Sequence, residues 1–466
     1  MADTTKGPAM ATDASNGAPL TLERLRVLVD DGAIDTVLVA CTDMQGRLQG
    51  KRIHAPFFLA DTLEHGTEGC NYILAVDVDM ETVSGYAMSS WEHGYGDLQF
   101  VPDLSTLRLV PWLEGTAMVQ CDLAWLDEAQ TPVAESPRQV LRAQVERAAT
   151  LGYEAFAGTE LEFLLFNDTY EAAWDAGYRG LTPANRYNID YSLLGTSKVA
   201  PLLRDIANGM SVAGLTPESA KGECNLGQQE IAFRFDSALR SADGHVVYKQ
   251  GAKEIASNHG KAITFMAKYN EREGNSCHLH MSLRGTDGTV VFDEDGKASP
   301  VFDSFVAGVQ ATMAEMTLLY SPNVNSYKRF AKGSFAPTAI AWGHDNRTCA
   351  LRAVGHGPGL RVENRVPGGD VNPYLGLAAM LAGGLHGIEQ ELVLEPPFEG
   401  NAYVSDKPTV PTTLEQAREL FAGSKVARAA FGDVVVDHYV NAADVELTAF
   451  HAAVTDWERI RGFERL

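Results

Sequence analysis

Acidic and imidazole side chains recur at alternate positions of short apolar segments in this chain. Glu160 and Glu162 lie in the run GTELEFL, and His278 and His280 lie in the run CHLHMS. Side chains alternate between the two faces of a β-strand, so each pair would share one face. Taken alone, each pair also fits a structural role, as a solvated sheet face for the glutamates or as packed histidines.

Two further segments carry carboxylates in similar surroundings. Glu223 opens the segment ECNLGQQE, which ends at Glu230 and runs into an apolar strand pattern, and Glu363 lies between Arg361 and Arg365. Five glutamates and one histidine can gather inside a sheet only if cations neutralise them, because an isolated buried carboxylate costs several kcal/mol. Oxygen-rich sites with few nitrogens suit Mg²⁺ or Mn²⁺ better than zinc. The set therefore predicts a site for divalent cations.

Arginines concentrate in one stretch of a strongly acidic chain, whose net charge is −23. They are Arg329, Arg347, Arg352, Arg361 and Arg365. A guanidinium group matches the oxygens of carboxylates and phosphates in a bidentate manner. The chain has no GxxxxGK[ST] motif, and the glycines at 355–359 lack the strand–helix context of a dinucleotide site. We therefore expect phosphates to be bound through metals and arginines rather than by a helix N-terminus.

The elements that must position these residues divide into two predicted domains. A length of 466 residues exceeds a typical single core. Residues 1–19 resemble a disordered tail. Residues 20–125 predict a small domain with a capped helix at 22–29, a strand at 34–40 and its hairpin partner at 47–53. Residues 136–466 predict an α+β domain that opens with a helix at Ser136-Pro137, because proline suits the first helical turn.

Composition excludes several classes of protein. The acidic balance argues against a nucleic-acid partner. Six separated cysteines without a CxxC pair argue against a disulfide scaffold or a structural zinc site and favour a reducing cytoplasm. The longest uncharged run, 371–388, contains asparagine, proline and histidine, so we expect a packed core helix rather than a membrane span.

Six motifs, taken together and in order, resemble the glutamine synthetase family over nearly the whole chain beyond the tail. They are ELE at 160–162, ECNLGQQE at 223–230, GNSCHLHMSL at 274–283, NSYKR at 325–329, Asn346-Arg347 with Arg352, and RVENR at 361–365. The resemblance implies an α+β fold, with an N-terminal β-grasp domain and a large catalytic domain on a curved antiparallel sheet. It also implies a homododecamer of two stacked hexameric rings, with active sites between subunits.

The resemblance assigns roles by position. One metal ion would be bound by Glu162, Glu223 and Glu230, and another by Glu160, His278 and Glu363. Glutamate would be bound by Gly274, Arg329 and Arg365. The transferring phosphate would be bound by Arg347 and Arg352. ATP would lie beside His280 and Ser282. The implied chemistry is attack of the glutamate γ-carboxylate on the ATP γ-phosphate, followed by attack of a nitrogen nucleophile on the acyl phosphate.

The chain departs from the family where ammonium would bind. Phe335 stands where ammonia-using members have a flap glutamate, and a phenylalanine packs on a methylene or faces a cation with its ring. The family's DGSS segment is replaced by a longer stretch, 64–97, that reads as a loop and includes Asp77 and Asp79. These departures favour a γ-glutamyl-amine ligase, and the whole chain looks closest to the actinobacterial γ-glutamylethanolamide synthetases.

Three alternatives stay open. A polyamine could replace ethanolamine as the acceptor, the chain could be an ordinary glutamine synthetase that uses ammonium, or it could be a catalytically silent assembly. An alkylammonium must lose a proton before it attacks, and Asp77 and Glu92 are candidate bases by acidity alone. Tyr403 occupies the place of a tyrosine that some bacterial members adenylylate, but its neighbours differ, so we do not expect modification.

Overall fold

The structure is a computed structural model that describes residues 20–331 and 333–466. The predicted tail at 1–19 lies outside the described residues. The domain limits given above remain predictions.

The N-terminal sheet has a strand order that nearly closes on itself. Its strands are β1 (Thr36–Thr42), β2 (Leu48–His54), β3 (Thr67–Cys70), β4 (Asp97–Pro102), β5 (Arg108–Leu109) and β6 (Thr116–Trp125). The order is β2-β1-β6-β4-β3, with β5 beside β6. The predicted hairpin forms as an antiparallel pair of β1 and β2. The prediction of a loop at 64–97 is wrong in part. Strand β3 lies within this segment and pairs with β4.

The larger sheet is mixed, although almost all of its pairs are antiparallel. Its strands are β7 (Tyr153–Phe166), β8 (Pro217–Gly222), β9 (Gln228–Phe233), β10 (Asp236–Ser237), β11 (Ala262–Thr264), β12 (Cys277–Gly285), β15 (Trp342–His344), β16 (Leu351–Val354) and β17 (Arg361–Asn364); a separate hairpin contains β13 (Asp293–Glu294) and β14 (Lys297–Ala298). The order is β15-β16-β17-β12-β7-β9-β8, and β10 and β11 also pair with β7. The pair of β15 and β16 is parallel, so the sheet that was expected to be antiparallel is mixed at this edge.

Helices lie before, between and after the strands of both sheets. Among the described residues they are α1 (Leu22–Asp30), α2 (Ala55–Phe57), α3 (Leu63–His65), α4 (Pro137–Thr150), α5 (Tyr170–Asp175), α6 (Leu193–Ser197), α7 (Ala200–Val212), α8 (Ala238–Asn258), α9 (Pro300–Tyr320), α10 (Val324–Tyr327), α11 (Pro373–Glu389), α12 (Leu414–Gly423), α13 (Lys425–Phe431), α14 (Asp433–Ala452) and α15 (Asp456–Gly462). The side chain of Thr21 caps α1, and α4 begins at Pro137, both as predicted.

The uncharged run at 371–388 forms helix α11, which is buried around most of its circumference. It packs against α9, where Gly308 and Gly387 meet so closely that a β-carbon on either would collide with the other helix. The prediction of a core helix is therefore confirmed. No helix within the described ranges is both long enough and apolar enough to span a bilayer.

Candidate active site

Strand β7 carries the two glutamates at the centre of the site, and the sheet register gives each a partner. His278 on β12 lies opposite Glu160, and Glu230 on β9 lies opposite Glu162. Since directly opposed residues have β-carbons only about 5 Å apart, two facing carboxylates repel one another unless a cation lies between them. Pairing on both edges of β7 thus gathers side chains that are far apart in sequence.

The first carboxylate cluster contains Glu162, Glu223 and Glu230, with one oxygen of each within 4.8 Å of the others. The ammonium group of Lys221 contacts Glu223 and lies 3.7 Å from Glu230. Burial, together with the neighbouring carboxylates, raises the pKa of Glu230 to about 8, and Lys221 only partly opposes this. The cluster therefore has more negative charge than one lysine can neutralise.

The second cluster joins Glu160, His278, His280 and Glu363. Nδ1 of His278 lies 3.2 Å from Glu160 and 3.4 Å from Glu363, and Nε2 of His280 lies 3.1 Å from Glu160. Although burial raises the pKa of Glu160, hydrogen bonds from both imidazoles outweigh it and hold that pKa far below the usual range. Glu363 is fully buried, and His278 and Arg365 likewise lower its pKa against the effect of burial.

Arginines from separate elements surround Glu363. Arg365 contacts one of its oxygens, and Nη1 of Arg352 donates to the other at 2.9 Å. Arg329 is 4% exposed and donates to the backbone carbonyl of Pro367 at 2.7 Å. The Nε atoms of Arg329 and Arg365 are buried and have no hydrogen-bond partner among the described residues. These unused donors suit an anionic substrate, since guanidinium groups bind carboxylates in a bidentate manner.

A cavity of about 320 Å³ lies beside the second cluster. Its walls include Glu160, His280, Ser282, Phe235 and Arg361. The hydroxyl of Ser282 donates to the carbonyl of Leu360 at 3.0 Å. The cavity places the two residues expected beside ATP next to the carboxylates expected to bind metal.

Both clusters fit divalent cations. The first offers only carboxylate oxygens, which are the ligands that Mg²⁺ and Mn²⁺ prefer, and the second adds an imidazole. Nε2 of His278 is buried and has no hydrogen-bond partner among residues 20–331 and 333–466. The position of Lys221 within the first cluster shows that a cation is accommodated there.

Two of the predicted site residues lie away from these clusters. Arg347 lines a separate surface pocket with Asn346 and Phe398, and its side chain has no hydrogen bond or ion pair in the described part of the chain. Phe335 is 58% exposed on a loop. Asp77 lines another cavity, with Asp370 and Glu446. Arg347 and Asp77 thus line cavities other than the one beside the second cluster, and Phe335 lies on an exposed loop.

The sequence did not point to Lys221, Gln228 or Asp190. Nε2 of Gln228 donates to Glu162 at 2.8 Å and to the carbonyl of Gly274 at 2.9 Å, linking the first cluster to the predicted glutamate-binding backbone. Asp190 lies within 4.8 Å of Glu223. The only available signal was the position of Gln228 inside the ECNLGQQE motif, because a lysine or an aspartate near acidic residues is normally solvated.

Carboxylates, an imidazole and arginines beside a cavity fit a site that binds an anionic nucleotide together with divalent cations. The family model "Glutamine synthetase, catalytic domain" matches residues 134–461. The chain belongs to the glutamine synthetase family, as the motifs predicted, and it is an ATP-dependent enzyme that joins glutamate to an amine.

Relatives with amine-ligase names align with almost the whole chain. Gamma-glutamylethanolamide synthetase GlnA4 of Streptomyces coelicolor is 63% identical over 97% of this chain and 98% of its own length. Glutamate–isopropylamine ligase of a Pseudomonas species is 40% identical over 94% of this chain and 97% of its own length. The solved structure of GmaS in complex with ADP matches with a TM-score of 0.82 and 25% identity, over 94% of this chain and 99% of that one.

Proposed function

We propose that this protein is a γ-glutamylethanolamide synthetase: it joins the γ-carboxylate of glutamate to the amine of ethanolamine, and ATP is converted to ADP and phosphate in the two steps described below. The observation that carries the proposal is the 63% identity to a synthetase of that name across both whole chains. Phe335 supports the proposal. Its apolar ring stands where ammonia-using members have a carboxylate, and such a ring suits an alkylamine better than ammonium. Further parts of the proposal are a cytoplasmic location and a dodecameric assembly.

In the first step, an oxygen of the glutamate γ-carboxylate attacks the γ-phosphorus of ATP, so that ADP leaves and a γ-glutamyl phosphate forms. Arg329 and Arg365, each with a free Nε, orient glutamate. Arg352 lies beside Glu363, where it can neutralise charge on the transferring phosphate. Placing the reacting oxygen in line with the phosphorus is the main contribution of these side chains.

In the second step, the neutral amine nitrogen attacks the γ-carbonyl carbon, phosphate leaves and the amide forms. Divalent ions bound by Glu160, Glu162, Glu223, Glu230, His278 and Glu363 would stabilise the negative charge of the phosphates. His280 and Ser282 line the cavity where the nucleotide would lie. Each side chain then has a task that matches its charge and burial.

An acceptor panel tests the proposal. Phosphate release is measured with glutamate, ATP and Mg²⁺ in the presence of ethanolamine, putrescine, spermine, isopropylamine or ammonium, and the product is identified by mass spectrometry. We expect ethanolamine to give the highest kcat/KM. Turnover with ammonium alone would identify an ordinary glutamine synthetase, and turnover with polyamines alone would identify a polyamine ligase. Absence of turnover with every amine would favour a silent assembly.

A further inference from the structure

A second cavity, of about 470 Å³, lies where the strand beside β7 is interrupted. Strand β9 ends at Phe233 and β10 begins at Asp236, and both pair with β7. In the described chain, β9 pairs with β7 from Glu162 onward and β10 pairs with it up to Ala157. The cavity opens at this gap, between the N-terminal sheet and helix α8. Its volume suits a small metabolite.

The lining of this cavity is positive, although the chain is strongly acidic. The arginines in its wall are Arg108, Arg234, Arg240 and Arg284, and the acidic residues are Asp236 and Asp243. Asp236 accepts from Arg240 at 3.0 Å, and Asp243 accepts from Arg138 and from Tyr374. Both aspartates are therefore already neutralised by donors of the protein.

In the described chain, Arg108 lies in this wall without a carboxylate partner. Its guanidinium donates to the carbonyl of Thr106 at 2.9 Å and to Oε1 of Gln120 at 3.3 Å, and both acceptors are uncharged. No carboxylate oxygen of residues 20–331 or 333–466 lies within 4.0 Å of it. Its Nη1 atom has no side-chain or backbone acceptor in that part of the chain. Burial without a counterion is unfavourable for a cation, so an incoming anion would gain a strong partner.

Helix α8 adds two unpartnered polar groups to the wall. His245 is 3% exposed; its Nδ1 lies 3.0 Å from the hydroxyl of Thr159, and its Nε2 has no partner in the described chain. A neutral imidazole that accepts the Thr159 proton at Nδ1 carries its own proton on Nε2 and is a donor there. The buried hydroxyl of Tyr248 also has no described partner. A buried polar group without a hydrogen-bond partner is unfavourable, and a bound ligand can supply the missing partner.

The cavity shares a wall with the predicted nucleotide cavity. Phe156, Thr159, Phe235 and Arg284 line both. The rings of Phe156 and Phe235 meet edge to face, with centroids 6.1 Å apart, and Arg284 lies over the ring of Phe156. Thr159 directly precedes Glu160 on β7. A ligand that moves this wall would therefore act on the nucleotide cavity.

We propose that this cavity binds a small organic dianion, either a dicarboxylate or a phosphate ester, and that the bound anion changes the affinity of the adjacent nucleotide site. Arg108 is the main charged contact. The polar groups of His245, Tyr248 and Ser241, which also lines the cavity, complete the site. The site is distinct from the glutamate-binding arginines, Arg329 and Arg365.

Titration calorimetry on the assembled protein tests binding, with succinate and glycerol 3-phosphate as separate probes at saturating glutamate. The variants are Arg108→Gln, which removes the cation, and Ser241→Asp, which places a carboxylate in the cavity. The matched control is Arg204→Gln, an exposed arginine outside the cavity. Circular dichroism checks that each variant is folded. Steady-state assays then give the KM for ATP with and without each probe.

We expect at least one probe to bind with a Kd below about 10 mM, and each cavity variant to weaken it tenfold or more, which is about 1.4 kcal/mol. The probe that binds identifies the ligand class. The control should bind as the wild type does, and the KM for ATP should change at least twofold only in proteins that bind the probe. Equal binding by wild type and Arg108→Gln, no binding of either probe, or an unchanged KM would overturn the proposal. Calorimetry measures binding of the probe without turnover. The proposal of an anion site can therefore be wrong even if the ligase activity is confirmed.

Discussion

At the scale of single residues, Glu230 has the most informative environment in the candidate site. It faces Glu162 across the sheet, and its pKa is raised to about 8 because burial and neighbouring carboxylates disfavour its charged form. A metal ion needs the deprotonated carboxylate, so binding must release a proton below that pH. Affinity for the metal should therefore depend on pH in a range where ordinary glutamates are already ionised.

We predict that the affinity for Mn²⁺ rises as the pH increases from about 6 to 8, approaching tenfold per unit, and then levels off. The check is titration calorimetry in buffers of different ionisation enthalpy, which also counts released protons. Glu230→Gln should bind weakly at every pH, whereas the exposed control Glu171→Gln should behave as the wild type does. A pH-independent affinity in the wild type would contradict the assignment of Glu230 as a ligand.

The second prediction for a single residue concerns Phe335 and the selectivity for the amine acceptor. Its φ of 56° is in the left-handed region, which is equally strained for glutamate, so substitution changes the chemistry more than the backbone. We expect Phe335→Glu to gain turnover with ammonium and to lose at least tenfold in kcat/KM for ethanolamine. Kinetics on both acceptors check this, and Phe335→Leu serves as an apolar control that should gain no ammonium activity. If the glutamate variant also gains none, Phe335 is at most one part of the selectivity.

The residue spacing predicted that Glu160 and Glu162 would share one face of a strand, because the period-two pattern needs only local information, whereas the grouping of the other carboxylates with them followed from the family resemblance. Glu160 and Glu162 share a strand, and Glu230 is drawn to them by pairing that depends on the sheet. Lys221 could not be predicted as their neighbour, since a lysine near glutamates is usually solvated. The place of Arg347 in a separate surface pocket could not be predicted either, because loop conformation follows from tertiary packing.

At the scale of elements, helix α4 connects the N-terminal sheet to helix α8 through one buried arginine. Arg138 is 2% exposed and contacts Asp103, Asp122 and Asp243. Burial raises the pKa of Asp103, but hydrogen bonds from Ser105 and Arg138 outweigh it and bring that pKa to about 2. Because this pKa is depressed, the pairing stabilises the fold above about pH 4 and is lost as the pH falls through about 2.

We predict that Arg138→Met lowers the free energy of unfolding by about 3–5 kcal/mol, because it leaves Asp243 buried without its cation. Arg142→Ala is the matched control. Arg142 lies on the same helix as Arg138 and contacts Asp103 and Asp122, but it is more exposed. Its removal should therefore lower the free energy of unfolding by about 1 kcal/mol or less. Urea unfolding followed by tryptophan fluorescence, at one protein concentration, measures both. Equal decreases in the free energy of unfolding for the two variants would show that the burial of Arg138 does not increase its contribution to stability.

Elements with local signals were predicted well, and long-range pairing was not. Thr21 and Pro137 mark helix starts through capping and a fixed φ, and the structure begins α1 and α4 there. The parallel pair of β15 and β16 and the strand at Thr67–Cys70 depend on partners elsewhere in the chain. Short strands of this kind have no periodic pattern long enough to recognise.

At the scale of the whole molecule, helix α15 presents apolar side chains that residues 20–331 and 333–466 leave uncovered. Trp457, Ile460 and Phe463 are 66%, 72% and 94% exposed, and their spacing of three places them on one face of the end of α15. Large exposed apolar patches mark contact surfaces between proteins. We therefore expect this face to be covered by another subunit in the assembly proposed above.

We predict that wild-type protein has a mass of about 600 kDa, which is twelve copies of the 50.4 kDa chain. The Ile460→Asp variant should form smaller assemblies. A charge buried in an apolar contact between subunits costs several kcal/mol for each subunit. Mass photometry at several concentrations measures both, and circular dichroism confirms that the subunits stay folded. Val393→Asp is the matched control, since Val393 is 93% exposed in a loop beyond α11 and should leave the mass unchanged. An unaltered mass in the Ile460 variant would place the subunit contact elsewhere on the surface.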